Sequence, residues 1–269
     1  MRKEKKAVIT STSNAKIKTI QNLIKKSKYR KEEKLFIIEG TRLFKETPKE
    51  RIKEIYVSEN AEKSLETELK GMKYEVISDN IFASISDTKT PQGIMAVVKQ
   101  PLYQIEEIIS TENPLLLILE DLQDPGNLGT IMRTAEGAGV TGVIMTKGCV
   151  DIYNPKVIRS TMGSIYRMPF VYLENEEEFE GLFRQLQERG IVTFGAALME
   201  SKDYDLYSYE KGTAFLIGNE GNGLTQKALS LCEKYVKIPM CGKLESLNAA
   251  VASSILMYEA FRQRRGGNP

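Results

Sequence analysis

The chain contains no histidine. That single absence removes Ser-His-Asp triads, Cys-His pairs and His-based metal sites together. Cysteine is scarce: Cys149, Cys232 and Cys241 are scattered, with no C-x-x-C spacing. This argues against a zinc site, and no metal is expected; it also fits a reducing cytoplasm. Long apolar runs are missing too. The longest aliphatic run, residues 115–119, falls far short of the ~20 residues of a membrane helix. The opening MRKEKKAVIT is basic, but no apolar signal core follows it. A cytoplasmic protein with no membrane partner is therefore expected. Nor is there a Walker A sequence.

What is present is ordinary in bulk. The 269 residues are 41% hydrophobic and 28% charged, enough for one large domain or two ordinary ones with a sizeable core. Disordered, collagen-like and disulfide-scaffold classes are excluded. The net charge of +2 hides an asymmetry: residues 1–53 carry 17 Lys/Arg against 6 acids, a net of +11, which leaves −9 for the remainder. A basic segment on a near-neutral protein points to a polyanion; the plainer alternative is a solvated, lysine-rich helix face. Ile17, Ile20, Leu23 and Ile24 recur at helical spacing, with Lys16, Lys18, Lys25, Lys26 and Lys28 between them. This predicts a helix over 14–27 with one buried stripe. Aromatics are sparse there (Tyr29, Phe36), so base stacking is not strongly signalled.

Both halves of the chain alternate strand and helix. In the first, strands are predicted over 35–38, 52–57, 74–77 and 93–98, with helices over 41–46, 61–70 and 80–84. These make a compact three-layer unit. A linker with a short helix at 105–109 follows. In the second half, strands are predicted over 115–120, 142–146, 170–173, 191–197, 213–218 and 236–239. Helices are predicted over 127–138, 155–161, 176–189, 225–232 and 246–264. The nearly continuous aliphatic run 115–120 marks a strand buried on both faces. The fold class is α/β, with a mainly parallel sheet covered on both sides. The division reads as a basic helical segment at 1–31, a small α/β domain at 32–99, a linker at 100–114 and a larger α/β domain at 115–269.

One glycine motif is a decoy. Residues 137–142, GAGVTG, match G-x-G-x-x-G, but a dinucleotide fingerprint must follow a strand and open a helix. Here the glycines close a helix and enter a strand, as helix-terminating glycines do.

Three other clusters carry more. The first, DPGNLGTIMR at 124–133, is predicted as a turn at Asp124-Pro125-Gly126 opening a helix, at the carboxyl end of a buried strand, where open α/β sheets bind ligands. Helical spacing puts Gly126, Gly129 and Arg133 on one face, and an arginine fork suits a phosphate. The alternative is a tight turn with a surface arginine. The second, GNEGNGL at 218–224, empties from an aliphatic strand; its glycines allow positive φ and exposed amides, or make a plain turn. The third, IPMCGKLESLN at 238–248, opens the last helix. Ser246 is the N-cap candidate, and Leu247, Val251, Ile255 and Tyr258 form an apolar stripe for the core or a subunit interface.

In this order, the clusters resemble the SpoU (TrmH-like) family of knotted RNA 2′-O-ribose methyltransferases. N-x-G-x-x-x-R-x-A is matched by Asn127, Gly129, Arg133 and Ala135. G-x-E-x-x-G is matched by Gly218, Glu220 and Gly223, and I-P-M-x-G-x-x-x-S-L-N by Ile238, Pro239, Met240, Gly242, Ser246, Leu247 and Asn248. The front domain resembles the family's L30e-like substrate-binding domain, with the signature Phe36-Ile37-Ile38-Glu39-Gly40-Thr41-Arg42-Leu43. The resemblance implies a trefoil-knotted sheet, an exception to unknotted topology. It also implies a homodimer and S-adenosyl-L-methionine (AdoMet) as methyl donor, without a metal. Cofactor contacts carried over are Gly218, Asn219, Glu220, Ile238, Met240 and Leu247; catalytic positions are Asn127, Arg133, Glu220, Ser246 and Asn248. One departure stands out: S-L-N-V-S-V-A becomes SLNAAVA, so Ala249 and Ala250 replace Val and Ser, and a hydroxyl is lost.

A ribose 2′-hydroxyl is a weak nucleophile that must lose a proton while held in line with the methyl group. The resemblance assigns Arg133 as the proton acceptor. An arginine is ordinarily a cation and a poor base, which favours binding phosphate and steering the hydroxyl. Asn127, Ser246 and Asn248 would orient ribose or arginine, and Glu220 would order the loops. Ribosomal RNA, 23S in particular, is expected over tRNA by analogy of the accessory domain. A non-catalytic RNA- or ribosome-binding factor and a base methyltransferase are the competing readings.

Overall fold

The computed structural model describes residues 7–197, 201–243 and 246–266. Residues 1–6 of the basic segment, 244–245 of the third cluster, 198–200 and 267–269 lie outside the described residues. The chain divides into two compact units. One comprises residues 1–101 with 151–166; the other comprises 102–150 with 167–269.

The first unit contains β1 (Val8–Ile9), α1 (Ala15–Lys25), α2 (Ser27–Glu33), β2 (Leu35–Glu39), α3 (Thr41–Glu46), β3 (Ile52–Ser58), β4 (Glu75–Ile77), α4 (Asp79–Ile85) and β5 (Ile94–Lys99). Its sheet runs β1-β4-β3-β5-β2. β5 is antiparallel to β2 and β3, while β4 is parallel to β1 and β3. Ile17, Ile20 and Leu23 of α1 pack with Leu35, Ile37, Phe82, Met95 and Val97 in one core, so the helical stripe is buried as its spacing predicts. β1 is too short to show an alternation in sequence.

Two predicted helices differ. The helix expected over 14–27 breaks at Lys26, whose backbone is extended (φ −119°, ψ 109°). The cause is Arg30, only 3% exposed. Its Nη1 donates to the carbonyls of Leu23 (2.7 Å) and Ile24 (3.1 Å), satisfying groups a continuing helix would have used. Its Nε and Nη2 donate to Asp151 Oδ2 at 2.8 and 2.6 Å. The helix expected over 61–70 is a run of turns closed by isolated bonds, among them Leu65 N to Ala61 O and Leu69 N to Leu65 O. Ser64 Oγ also donates to Ala61 O at 2.9 Å, competing with the helical ladder. Leu65 and Leu69 are buried nonetheless.

The second unit opens with α5 (Ile105–Ile109), β6 (Leu115–Leu119), α6 (Pro125–Gly137) and β7 (Gly142–Thr146). The chain then passes through α7 (Pro155–Thr161), which belongs to the first unit. It returns as β8 (Phe170–Leu173), α8 (Glu176–Glu188), β9 (Val192–Ala196), β10 (Lys202–Asp203), β11 (Thr213–Ile217), α9 (Gln226–Leu231), β12 (Lys234–Lys237) and α10 (Ala249–Gly266). These strands form one sheet, ordered β10-β12-β9-β11-β6-β7-β8, and every pairing is parallel. All residues of β6 and β11 are buried, as the aliphatic runs predict. Leu116, Ile118, Ala214 and Leu216 share a core with α5 and with Phe179, Leu182, Phe183 and Leu186 of α8. α10 packs on α6 and β11.

Two details correct the sequence reading of this unit. α6 begins at Pro125, one of the first helical positions where proline is well placed, so Asp124-Pro125-Gly126 is a helix start and not a separate turn. α10 starts at Ala249, later than the predicted 246, and buries Ala250, Ser253, Met257 and Ala260. Of the stripe expected for the core or a subunit interface, Leu247 and Ile255 are half-buried while Val251 is 47% and Tyr258 48% exposed, so the stripe does not form the core of this unit. The decoy glycines do close a helix, with Gly139 at φ +70° just past the end of α6.

Candidate active site at the carboxyl edge of the parallel sheet

Parallel strands bring the loops after β6, β11 and β12 to one edge. The order reverses between β6 and β11: β7 and β8 lie beyond β6, while β9, β12 and β10 lie beyond β11. Such a switch point is where open α/β sheets take ligands. The first two sequence clusters leave β6 and β11 there, side by side.

The loop after β11 is fastened to the loop after β6 at several points. Glu120, a buried carboxylate, accepts from Thr225 N (2.8 Å) and Thr225 Oγ1 (2.7 Å). Asn219 Nδ2 donates to Asp121 O at 2.8 Å. Asn219 also organises its own loop, its Oδ1 accepting from Gly221 N and Asn222 N while its backbone exchanges bonds with Gly223. A Cβ on Gly218 would run into the Gly223 carbonyl and Leu224 N, so only glycine permits this fold-back. The loop after β6 is itself braced by Cys149, whose thiol accepts from Leu122 N and donates to Leu119 O, both at 3.3 Å. Burial pushes that thiol up to about 11, so Cys149 is a structural group. Asp121, at φ +52°, is held by Thr146.

Glu220 is the junction. Its Oε1 accepts from Asp124 N and Asn127 Nδ2, each at 3.0 Å, and its Oε2 from Gln123 N at 3.1 Å. Partial desolvation alone would raise its pKa, but these bonds outweigh it and hold the carboxyl below the usual glutamate value. Asn127 Oδ1 in turn accepts from Asn248 Nδ2 at 2.9 Å. All three motifs thus meet in one chain of side chains, Glu220–Asn127–Asn248.

Asn248, not Ser246, caps α10. Its Oδ1 accepts from Ala250 N (2.9 Å) and Val251 N (3.3 Å). Ser246 lies exposed ahead of it. Capping falls to Asn248 because it immediately precedes the first helical residue, within reach of the second and third amides. Ala249 and Ala250, which depart from the family pattern, are both buried in the first turn. Arg133 stands exposed on α6, and among the described residues its guanidinium makes no hydrogen bond or ion pair.

The loops offer a cradle for a ligand recognised through backbone. Gly223 (φ +67°) and Gly242 (φ +111°), after β11 and β12, have open space where a side chain would stand. Ile238, Met240 and Leu247 are half-buried apolar groups on the β12 loop, suited to an aromatic base. This donor set, backbone amides with half-buried aliphatics, fits AdoMet. Among the described residues no cluster of carboxylates and cysteines could hold a metal ion.

Residues 114–258 match the SpoU rRNA Methylase family, and residues 14–96 match the MRM3-like substrate binding domain. Over 254 residues the chain is 35% identical to the 23S rRNA (guanosine(2553)-2′-O)-methyltransferase RlmP of Bacillus subtilis, covering 93% of this chain and 97% of the relative. It is 31% identical to the human mitochondrial rRNA methyltransferase 3, over 93% of this chain and 73% of that protein. The crystal structure of the SpoU methyltransferase AviRb from Streptomyces viridochromogenes in complex with AdoMet superposes with a TM-score of 0.83 at 28% identity, covering 94% of this chain and 100% of that one. The chain therefore belongs to the SpoU rRNA methylase family.

Proposed function

We propose that the chain transfers a methyl group from AdoMet to a ribose 2′-hydroxyl of 23S ribosomal RNA. The carrying observation is the Glu220–Asn127–Asn248 chain at the switch point of a parallel sheet, with Arg133, exposed and unpaired among the described residues, further along the same helix α6. Bound AdoMet supplies an electrophilic methyl group on a sulfonium. Gly218, Asn219, Ile238, Met240 and Leu247 hold it, the first two through the folded-back loop, the others through their apolar surfaces. Glu220 contributes by fixing the loop.

Arg133 grips a substrate phosphate with its fork and aligns the neighbouring 2′-hydroxyl, whose proton is lost to water at this exposed edge as its oxygen bonds the methyl group and the methyl–sulfur bond breaks. Asn127 and Asn248, locked by each other and by Glu220, orient the ribose, and exposed Ser246 closes the same site. Preorganised placement supplies the rate. The relatives' names support ribosomal RNA over tRNA, and the matching substrate-binding domain supports an RNA partner.

Three further features go with this reading. The strand order, with β12 laid outside β9 after β11 has returned beside β6, supports a trefoil threading of the last segment. The outward Val251 and Tyr258 of α10 support a homodimer. The free thiols of Cys149, Cys232 and Cys241 and the ribosomal substrates of the relatives support a cytoplasmic setting.

The test is methyl transfer from labelled AdoMet to 23S rRNA from a strain lacking the gene, with the wild type beside Arg133→Ala. Label in one nuclease-resistant 2′-O-methyl dinucleotide, abolished in the variant, is the expected result. Label on a base, or an Arg133→Ala enzyme with near wild-type kcat, would refute the reading. AdoMet binding with no RNA affinity would refute it as well.

A further inference from the structure

We propose that the cavity beside the carboxyl end of β2 is a subsite for one unpaired nucleotide of the RNA substrate, its phosphate held by Arg42 and Arg159. This rests on the reading of the chain as an RNA methyltransferase. The cavity measures about 320 Å³, and its walls include Glu39, Arg42, Thr88, Gln92, Arg159 and Met162. All belong to the first unit, and the volume is within the ~300–1,000 Å³ of small-molecule sites.

The signature at 36–43 divides by role. Phe36, Ile37, Ile38 and Leu43 are core, whereas Glu39, Gly40, Thr41 and Arg42 build the cavity's frame. Glu39 Oε1 accepts from Ser86 Oγ (2.5 Å) and Thr88 Oγ1 (2.8 Å), and its Oε2 from Asp87 N (3.3 Å). The carboxylate thereby fastens the loop before β5 to the end of β2. Gln92, on the same loop, caps α3: its Oε1 accepts from Thr41 N (2.8 Å) and Thr41 Oγ1 (3.0 Å). It does so because Gly40, at φ +99°, has no side chain to cap with.

Two guanidiniums stand on this braced frame. Arg159 pairs with Asp87 at 2.8 Å. Arg42 is exposed and, among the described residues, makes no hydrogen bond or ion pair. The two carboxylates nearby are already engaged, so an arginine fork is left for an incoming acceptor. A phosphodiester is the acceptor such forks match. Met162, at φ +53°, adds a half-buried thioether to the wall, an adaptable apolar surface for a base. A paired base is committed to its helix and presents no face to a cavity, which is why the occupant is an unpaired nucleotide.

The experiment uses the full chain, labelled AdoMet and unmodified 23S rRNA at varied concentration and salt. Arg42→Glu, Arg42→Lys and Gln92→Glu are compared with wild type. Arg42→Glu is expected to raise KM for RNA about tenfold, with the rate at saturating RNA and AdoMet affinity retained. The log–log salt slope of RNA binding should fall by about 0.7 for each single-strand phosphate no longer held. Arg42→Lys should recover part of the loss. Gln92→Glu keeps both acceptors for Thr41, so α3 stays capped, and its added negative charge should raise KM too. Unchanged KM and salt slope in Arg42→Glu, with an active wild type, would overturn the subsite and leave the enzymatic reading standing. A wild type that binds AdoMet but methylates no RNA would overturn both.

Discussion

Asn248 donates its side-chain amide to Asn127 Oδ1 at 2.9 Å, across 121 residues of chain. The same Asn248 caps α10 through its Oδ1. One side chain thus ties the loop after β12 to the first turn of α6 while fixing where the last helix begins.

These two duties separate by substitution. Asn248→Asp keeps an acceptor for the Ala250 and Val251 amides but loses the donor toward Asn127. Stability should stay near wild type, while methyl transfer falls by about 10–100-fold through misplacement. Asn248→Ala should lose activity and also about 1 kcal/mol of stability from the missing cap. Urea denaturation and labelled methyl transfer on the same preparations distinguish the two; an Asp variant with full activity would break the link.

Gly218 and Gly221 make a matched pair. A Cβ at Gly218 meets the backbone of Gly223 and Leu224, whereas at Gly221 the nearest atom is Asn219 Oδ1 at 3.5 Å. Gly218→Ala should abolish AdoMet binding by calorimetry because the loop must open. Gly221→Ala should bind AdoMet as wild type does and change stability by less than about 0.5 kcal/mol.

Glu220 imposes an acid sensitivity. Its folded pKa lies below its ordinary value because the bonds from Asn127, Asp124 and Gln123 outweigh its desolvation. The stabilisation is present above the unfolded pKa, about 4.3, and is lost as pH falls through the folded value. Between about pH 5 and pH 3, the urea midpoint of wild type should drop more steeply than that of Glu220→Gln. Parallel curves would show that the carboxylate is not held as described.

Buried Arg30 pairs with half-buried Asp151, their side chains 4% and 15% exposed. Asp151→Asn leaves the guanidinium without its counter-ion and should cost about 3–5 kcal/mol. Combining it with Arg30→Met should recover part of that loss, a coupling that a double-mutant cycle in urea would measure.

Much of this molecule was legible in its residues. The aliphatic run at 115–120 announced a strand buried on both faces and 213–218 read as another aliphatic strand; β6 and β11 are buried throughout. Periodicity found the buried stripe of α1 and the amphipathic α8. It missed the break at Lys26, because the cause is a tertiary bond from Arg30 to the carbonyls of Leu23 and Ile24. Whether Val251 and Tyr258 serve the core or a subunit interface was left open for a similar reason, and the fold keeps them out of the core. An apolar stripe shows that a face avoids water, and small residues such as Ala250, Ser253 and Ala260 can win the core instead by allowing close packing.

By itself the sequence determined which chemistry is unavailable, since a chain without histidine has no imidazole base or ligand. It also determined where strand, helix and glycine loop fall, because those follow from local periodicity and backbone freedom. Tertiary structure decided that Glu220, Asn127 and Asn248 touch, that Asn248 and not Ser246 caps α10, and that Glu39 and Gln92 brace one cavity. These depend on strand order and on hydrogen bonds between residues far apart in the chain, whose geometry is set only once the sheet is assembled.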